Sequence, residues 1–547
     1  MPQTLLSLLA RETGDIRRDL LIALLISAAA NTGILVIINQ ASASAAEGVG
    51  DLRLLGMFIV AMALYVVGLR FTFGVATRAV ESMLAQIRQR LMRGIAHADL
   101  LALRRLREGR LLQSISQDTI VISESQGLLV AAAHSALMVA MTGVYVLTVS
   151  WPAFLIVVVV IAAGAVLYLA RSKELDQLAA RSSRLEASFL GKMSDMIKGL
   201  PEVKLSTARR EALLGELDGV GQELCEVKVR TTSVYNANAI FSQSFFYALL
   251  AVIVFVLPAL IDSFAPQAPK LLSSVLFIFG PLSTLITAVP SIGRADRAAA
   301  SLLQLEAEIG RAGTPPPAPG PVPRPLGMTQ AIECRGLQFH YPGEAGETFS
   351  IGPIDLKLPQ GEIVMFVGGN GSGKTTLLKV IAGLYKPSAG QLLFDGKPVP
   401  PDGQQRQRET FGAIFSDFHL FPKLYGIEAD DAAIAAEFEA MRLTDKLSYS
   451  EEGFSTRDLS TGQRKRVAMV VAMLENRSIL IFDEWAAEQD PEFRAHFYEE
   501  LLPRLKAKGK TLLVATHDDR YFDIADMVVK MELGRLVSTQ RRGEAKS

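Results

Sequence analysis

Cysteine is scarce in this sequence: two residues in 547, Cys225 and Cys334. They are too few for a disulfide framework and too far apart for a CxxC metal or redox motif, which suits a reducing compartment. An excess charge of either sign is also lacking. Basic and acidic residues balance, 56 against 56, so no global field draws the chain to nucleic acid and no such partner is expected. Tryptophan occurs twice. Apolar length, by contrast, is abundant: half the residues are hydrophobic and the mean hydropathy is +0.28. That apolarity crowds into residues 20–292, while the remainder reads as ordinary soluble α/β sequence. A chain of this length exceeds one ordinary domain.

Six apolar stretches of about 20 residues have the length that spans a bilayer. They lie near Leu20–Ile38, Leu54–Val75, Gly127–Val149, Trp151–Ala170, Ile240–Ile261 and Leu271–Ile292. The first is too long for the apolar core of a cleavable signal peptide, and Asn39-Gln40 make a poor cleavage site. Arg and Lys gather before the first span, between the second and third, and between the fourth and fifth. The other three connections carry only Arg53 and Lys270. Both ends and the two long loops are therefore expected on the cytoplasmic side of the membrane. The long loops carry helical patterning, so the spans should continue as helices into the cytosol.

Some polar residues fall inside the spans: Asn31, Arg70, His134, and the group Asn236, Asn238, Ser242, Gln243, Ser244 and Tyr247. Asn236, Gln243 and Tyr247 are spaced to share a helix face. Two readings stay open for them, hydrogen bonding between helices or contact with a substrate. Arg70 either snorkels to the interface or faces an anionic substrate.

GTPPPAPGPVPRP, Gly313 to Pro325, breaks the chain, because so many prolines form neither helix nor central strand. The expected domains are a membrane domain over 1–312, a linker over 313–328 and an α/β domain over 329–547. Within the last, the β-rich run Ile363–Val367 leads into Gly368-Gly369-Asn370-Gly371-Ser372-Gly373-Lys374-Thr375, with Thr376 next, and then a helix. This is GxxxxGK[ST] in its strand–loop–helix setting. Glycines let backbone N–H groups cradle phosphates, Lys374 reaches the β- and γ-phosphates, and Thr375 offers its hydroxyl to Mg²⁺. ATP and Mg²⁺ are the expected ligands. A second apolar run, Ser478 to Phe482, ends in Asp483 and Glu484. Asp483 suits Mg²⁺, and Glu484 suits activation of the attacking water.

The P-loop alone leaves kinases, GTPases and transport ATPases open. DLSTGQRKRVAMVVAML, Asp458 to Leu474, narrows the choice. It resembles the LSGGQ signature of ATP-binding cassette (ABC) transporters, with Leu459, Ser460, Thr461, Gly462 and Gln463 in register and Thr461 in place of the first glycine. The resemblance implies further roles. Tyr341 looks like the aromatic that stacks on adenine. His517 looks like the switch histidine, and Asp490 like the acid of the D-loop. Ser460, Thr461, Gly462 and Gln463 would face the nucleotide of a second copy, so a homodimer is implied. One piece departs: where the family carries a glutamine that meets Mg²⁺, FGAIFSDFHLF places Ser416, followed by Asp417.

FSDFHLF, LSTGQRKR, DEWAAEQDPEFRAHFY and THDDRYF together resemble the cyclic-peptide exporter family of ABC proteins, which includes exporters of lasso-type microcins and of peptide siderophore precursors. The resemblance implies an N-terminal all-α membrane domain of six transmembrane helices, type I exporter-like, followed by a C-terminal α/β P-loop ATPase domain. It implies an ATP hydrolase that drives alternating access and exports a modified or cyclic peptide-like substrate. A lipid or multidrug exporter is the rival, and a non-transporting membrane ATP sensor the more distant one. Trp485 is expected to pack beneath the D-loop and fix Asp490.

Overall fold

The computed structural model describes residues 3–12, 16–46, 51–106, 108–256, 267–312, 323–341, 349–400 and 403–543. Most of the proline-rich linker, 313–322, lies outside the described residues, as does the side chain of Ser242. The chain divides into two compact units. One combines Met1–Met92 with Glu108–Glu308, the other Arg93–Arg107 with Ile309–Ser547.

The first unit is built from long helices, including Ile16–Ala46, Thr119–Val149, Trp151–Lys198 and Thr207–Ala251, with most of Leu52–His97 and Ala268–Ala312. Among the described residues, five helical stretches are long and apolar enough to cross a membrane: Arg18–Ala45, Leu52–His97, Gly109–Val149, Thr207–Val256 and Ala268–Ala312. The expected fourth span, Trp151–Ala170, falls on the helix Trp151–Lys198, whose apolar described start, Trp151–Val166, is shorter than those five. At 46 residues, Leu52–His97 is about 69 Å long, more than twice the roughly 30 Å of hydrocarbon. Continuation of the spans as helices, expected from the patterning of the long loops, is what the structure has.

Several intramembrane polar residues tie helices together. Asn31 Nδ2 donates to Met138 Sδ at 3.0 Å, and Asn39 Nδ2 to the Tyr145 hydroxyl at 3.2 Å. Ser273 Oγ in turn donates to Asn39 Oδ1 at 2.5 Å. In an apolar surround such bonds fix which helix faces meet. Gln243 Nε2 donates to the Tyr247 hydroxyl at 3.2 Å, so those two do share a face. His134 is buried beside Tyr65, and Arg70 is exposed.

The second unit is centred on a six-stranded sheet. Its core is four parallel strands, in the order Met527–Glu532, Ile363–Val367, Thr511–Ala515, Ile479–Asp483, with Phe411–Ile414 parallel at one edge and Arg535–Arg541 antiparallel at the other. Its central strands read as unbroken apolar runs because both faces are covered. Alternate residues go to opposite faces: Val364, Phe366, Ile479, Ile481 and Leu513 enter one core, while Met365, Leu480, Phe482, Leu512 and Val514 enter the other. A second, antiparallel sheet packs on the first core through Ile332, Cys334, Ile354 and Leu356. Leu326 and Met328, at the end of the expected linker, also reach this unit: Leu326 N donates to Thr410 Oγ1 at 3.0 Å and Met328 is buried.

A short helix, Leu100–Arg105, belongs to this unit too. Asp99 caps it by accepting from Leu101 N at 3.0 Å, and Leu100 and Leu101 pack against the first core.

Candidate ATP site

The parallel strands aim their C-terminal ends at one edge, where such sheets bind ligands. From three adjacent strands the chain delivers the P-loop after Val367, the acids at the end of Ile479–Asp483, and His517 after Ala515. The P-loop turn needs glycine at two positions above all. Gly368 has φ +144°, and a Cβ there would run into the carbonyl of Met531; Gly373 has φ +101° and faces Ile351. Both conformations are open to glycine at little cost. The loop ends at the helix Lys374–Ile381, whose amino end favours anions.

Lys374 is 4% exposed and donates to the carbonyls of Gly368 and Gly369 at 2.9 and 3.2 Å. Burial lowers its pKa, partly offset by Glu484 and Asp483. Its Nζ is also 3.1 Å from His517 Nε2, and that same nitrogen is 3.1 Å from Glu484 Oε1. One ring nitrogen cannot accept from Lys374 and donate to Glu484 at once, so the imidazole tautomer chooses between them. Thr375 Oγ1 sits 2.9 and 3.0 Å from the two oxygens of Asp483. Burial raises the pKa of Asp483, against the bonds from Thr375 and from Ser416 N.

The donor set fits a magnesium nucleotide. Ser372 Oγ is buried in the P-loop with no hydrogen-bond partner among the described residues, as a donor awaiting a phosphate oxygen would be. Among the described residues no group of three or more His, Cys, Asp or Glu could hold a metal unaided. Mg²⁺ would take the Thr375 hydroxyl and Asp483, with the remaining positions filled by phosphate and water oxygens.

The structure separates the two residues at the departing position. Ser416 turns its backbone N–H towards Asp483 Oδ2, at 3.4 Å. Asp417 faces away, binding Lys379 Nζ at 3.2 Å and Arg104 at 2.9 Å. Partial burial opposes ionisation of Asp417, but Lys379 and Arg104 outweigh it and hold its pKa low. Phe349, which sequence reasoning passed over, lines the phosphate cleft with Asn370, Gly371, Ser372, Gly373 and Glu484. Tyr341 is half-buried, with its hydroxyl 3.1 Å from Thr376 Oγ1 and its ring edge-on to Phe339.

Ser460 caps the helix Thr461–Leu474, accepting from Gln463 N while Gln463 Oε1 accepts from Ser460 N, a reciprocal capping box. Thr461 is exposed at the first turn. Gly462 lies against the next turn of chain: a Cβ there would stand 3.0 Å from the Glu488 carbonyl, and Gln489 Nε2 donates to Gly462 O at 3.1 Å. Asp490 caps Pro491–His496 through Phe493 N and binds Arg466 at 2.5 Å. Trp485 does not touch Asp490 through its indole N–H, which donates instead to the Lys465 carbonyl at 2.9 Å. Its ring packs on Phe497 and Phe493, so its link to Asp490 is indirect.

A P-loop, a carboxylate pair, a histidine and a capped signature helix on one parallel sheet define a P-loop ATPase domain of the transport type. Comparison with known proteins places it further. Residues 20–283 match the ABC transporter transmembrane region, and residues 351–487 match the ABC transporter family. The chain thus fuses an ABC membrane domain to an ABC ATPase domain, as ABC half-transporters do. It is a multi-pass membrane protein with its ATPase domain in the cytoplasm. ATP-binding protein SyrD of Pseudomonas syringae pv. syringae is 40% identical over 303 residues, 53% of either chain. An ATP-dependent lipid A-core flippase of Paraburkholderia xenovorans (strain LB400) is 29% identical over 312 residues, 54% of this chain and 51% of that one. The chain therefore spans about half the length of the curated relatives it matches. A bacterial Atm1-family ABC exporter solved with ATP bound superposes with a TM-score of 0.75, covering 96% of this chain and 95% of its own at 18% identity, which establishes the type I exporter fold.

Proposed function

We propose that the chain is an ATP-driven exporter that works as a homodimer by alternating access and moves a modified or cyclic peptide out of the cytoplasm. The observation that carries the ATPase part is the convergence of Lys374 and Glu484 on His517 Nε2 beside the Asp483–Thr375 pair. Lys374 turns to the β- and γ-phosphates, which leaves His517 Nε2 free to serve Glu484 or the γ-phosphate. Glu484 Oε1 takes a proton from water as its oxygen attacks the γ-phosphorus, and the bond to the bridging oxygen of ADP breaks. Thr375 and Asp483 would hold Mg²⁺, which would neutralise charge on the phosphate oxygens. Ser460, with Thr461, Gly462 and Gln463, contributes from the second copy, so a complete site requires two chains. Tyr341 or Phe349 receives the adenine.

Two neighbouring cavities in the membrane domain support a peptide-like substrate. One is lined by Tyr235, Asn238, Gln243, Ser283 and Thr287, which offer hydrogen bonds to amides. The other, apolar, is lined by residues such as Val160, Phe241, Phe245 and Leu249, and the two share Phe246, Leu282 and Ile286. The apolar chamber, with the flippase relative, is what favours a lipid as the second reading. The deciding experiment reconstitutes the protein in liposomes and measures ATPase stimulation by cyclic peptides, drugs and lipids, with uptake of labelled peptide into inverted vesicles. Peptide uptake that needs ATP supports the proposal. Stimulation by lipids alone replaces it with the second reading, and ATP hydrolysis without any uptake overturns export.

A further inference from the structure

Glu484 occupies the left-handed region, with φ +50° and ψ +35°. A residue with a full side chain stays there only when its surroundings over-determine it, and such residues gather at active sites. Here both peptide groups around Glu484 are held. Its N–H donates to the Ala515 carbonyl at 3.0 Å, on the neighbouring strand. Its C=O accepts from Lys465 Nζ at 2.9 Å. Lys465 is only 2% exposed, so a charged group is taken from water to meet a single carbonyl, aided by Glu488 at 3.5 Å. The next residue returns the contact. Trp485, 1% exposed, donates its indole N–H to the carbonyl of Lys465 itself at 2.9 Å. Side chain to backbone in one direction, and side chain to backbone in the other, the signature helix and the catalytic turn are buttoned together through two buried side chains.

We infer that Lys465 and Trp485 form a bracket that fixes the backbone of Glu484 in its left-handed conformation and so aims the carboxylate at the attacking water. This rests on the hydrolytic role proposed for Glu484. Both are positioning residues: neither lines the phosphate cleft, whose described walls include Lys374, Thr375 and Glu484. Loosening the bracket lets the turn relax towards ordinary backbone angles and swings Glu484 away, while leaving the P-loop contacts to nucleotide as they are. The bracket also makes the aim of Glu484 depend on the signature helix, the element expected to meet the second copy's nucleotide.

The test uses the full chain in lipid nanodiscs with Mg²⁺-ATP. Lys465→Met keeps length and apolar bulk but removes the donor. Trp485→Phe keeps an aromatic ring on Phe497 and Phe493 but removes the indole N–H, and it carries the test should Lys465→Met fail to fold. Each is expected to lower kcat roughly tenfold to a hundredfold, the scale of a misplacement of about 1 Å, with KM for ATP changed less than about twofold. The decisive comparison is made in a Glu484→Gln background. If the bracket acts through Glu484, adding Lys465→Met or Trp485→Phe changes the residual turnover by less than about twofold, because the aimed base is already gone. The inference is overturned if the single variants turn over at the parent rate, if their loss lies in KM, or if the full loss reappears in the Glu484→Gln background. Failure of the parent reading is distinct: Glu484→Gln alone would then hydrolyse ATP at the unaltered rate.

Discussion

Arg104 and Asp417, 313 residues apart in the chain, meet at 2.9 Å. Asp417 is shared with Lys379 of the P-loop helix, which is 6% exposed and lies 5.0 Å from the ring of Phe415. The carboxylate therefore joins the short helix Leu100–Arg105 to the helix that carries the P-loop lysine. Its two partners are not equivalent. Arg104 is about half exposed and can be solvated when released, whereas Lys379 cannot.

That inequality gives a stability prediction. Arg104→Ala should cost less than about 1 kcal/mol, as exposed pairs do. Asp417→Asn should cost about 1–3 kcal/mol, because it strands a buried ammonium group. Adding Lys379→Met to Asp417→Asn should recover part of that loss. Unfolding of the detergent-solubilised chain in a Trp151→Phe background, followed by emission of the buried Trp485, measures all three. Equal costs for Arg104→Ala and Asp417→Asn would remove Lys379 from the account.

A pH prediction comes from Asp395. Burial works against its ionisation, but its carboxylate accepts from the N–H groups of Thr329, Gln330 and Ala331 and from the Thr329 hydroxyl, which brings its pKa down to about 2. The folded value is below the unfolded one, so the contribution is complete above about pH 4. It is lost as pH falls from there through about 2. After discounting for solvent screening it should amount to roughly 1–2 kcal/mol. Asn tolerates the φ of +51° found at this position, so Asp395→Asn isolates the charge. The gap in stability between parent and variant should be constant near neutrality and close towards pH 2. A gap that persists undiminished at pH 2 would show that the carboxylate charge is not what holds the backbone of Thr329, Gln330 and Ala331.

The aromatic beside the nucleotide is the third case. If the base stacks on Phe349, Phe349→Ala should raise the KM for ATP roughly tenfold, the scale of a lost base–aromatic stack. Tyr341→Phe, which keeps the ring and loses only the bond to Thr376, should change it little. A large effect of Tyr341→Ala with none from Phe349→Ala would return the role to Tyr341.

These cases also mark how far the sequence could be read. The P-loop was legible because its chemistry is contiguous: strand, glycines, lysine and helix follow one another from Ile363 to Ile381. The six apolar stretches were legible because bilayer thickness imposes their length. Asp483 and Glu484 announced themselves as acids at the end of an apolar run. What escaped depends on contacts between distant segments. A lysine in a helix looks solvated until the fold buries it, as it does Lys379 and Lys465. Trp485 was expected to fix Asp490, yet its N–H goes to Lys465, because indole reach and ring packing are decided by the third dimension. Ser416 and Asp417 were one ambiguous position in the sequence, and backbone direction alone sends one to Asp483 and the other to Lys379 and Arg104.

The adjacent acids give the last prediction, because their surroundings assign them different work. Asp483 is 1% exposed and bound to Thr375 Oγ1, where a carboxylate can serve a metal but cannot reach bulk water. Glu484 is about one third exposed, turned into the cleft, with Oε1 3.1 Å from His517 Nε2. Glu484→Gln keeps size and hydrogen bonding and removes the base. Nucleotide should still bind, the two ATPase domains should remain closed on it, and turnover should fall by roughly a hundredfold or more, as for loss of a general base. Asp483→Asn should weaken Mg²⁺-dependent binding itself, and raising Mg²⁺ should restore part of its activity but none of the activity of Glu484→Gln. Trapped nucleotide and dimer closure, measured in both variants with Mg²⁺-ATP, separate the two roles. Normal turnover by Glu484→Gln, or failure to close at saturating ATP, would pass the positioning of water to His517, whose Nε2 already stands between Glu484 and Lys374.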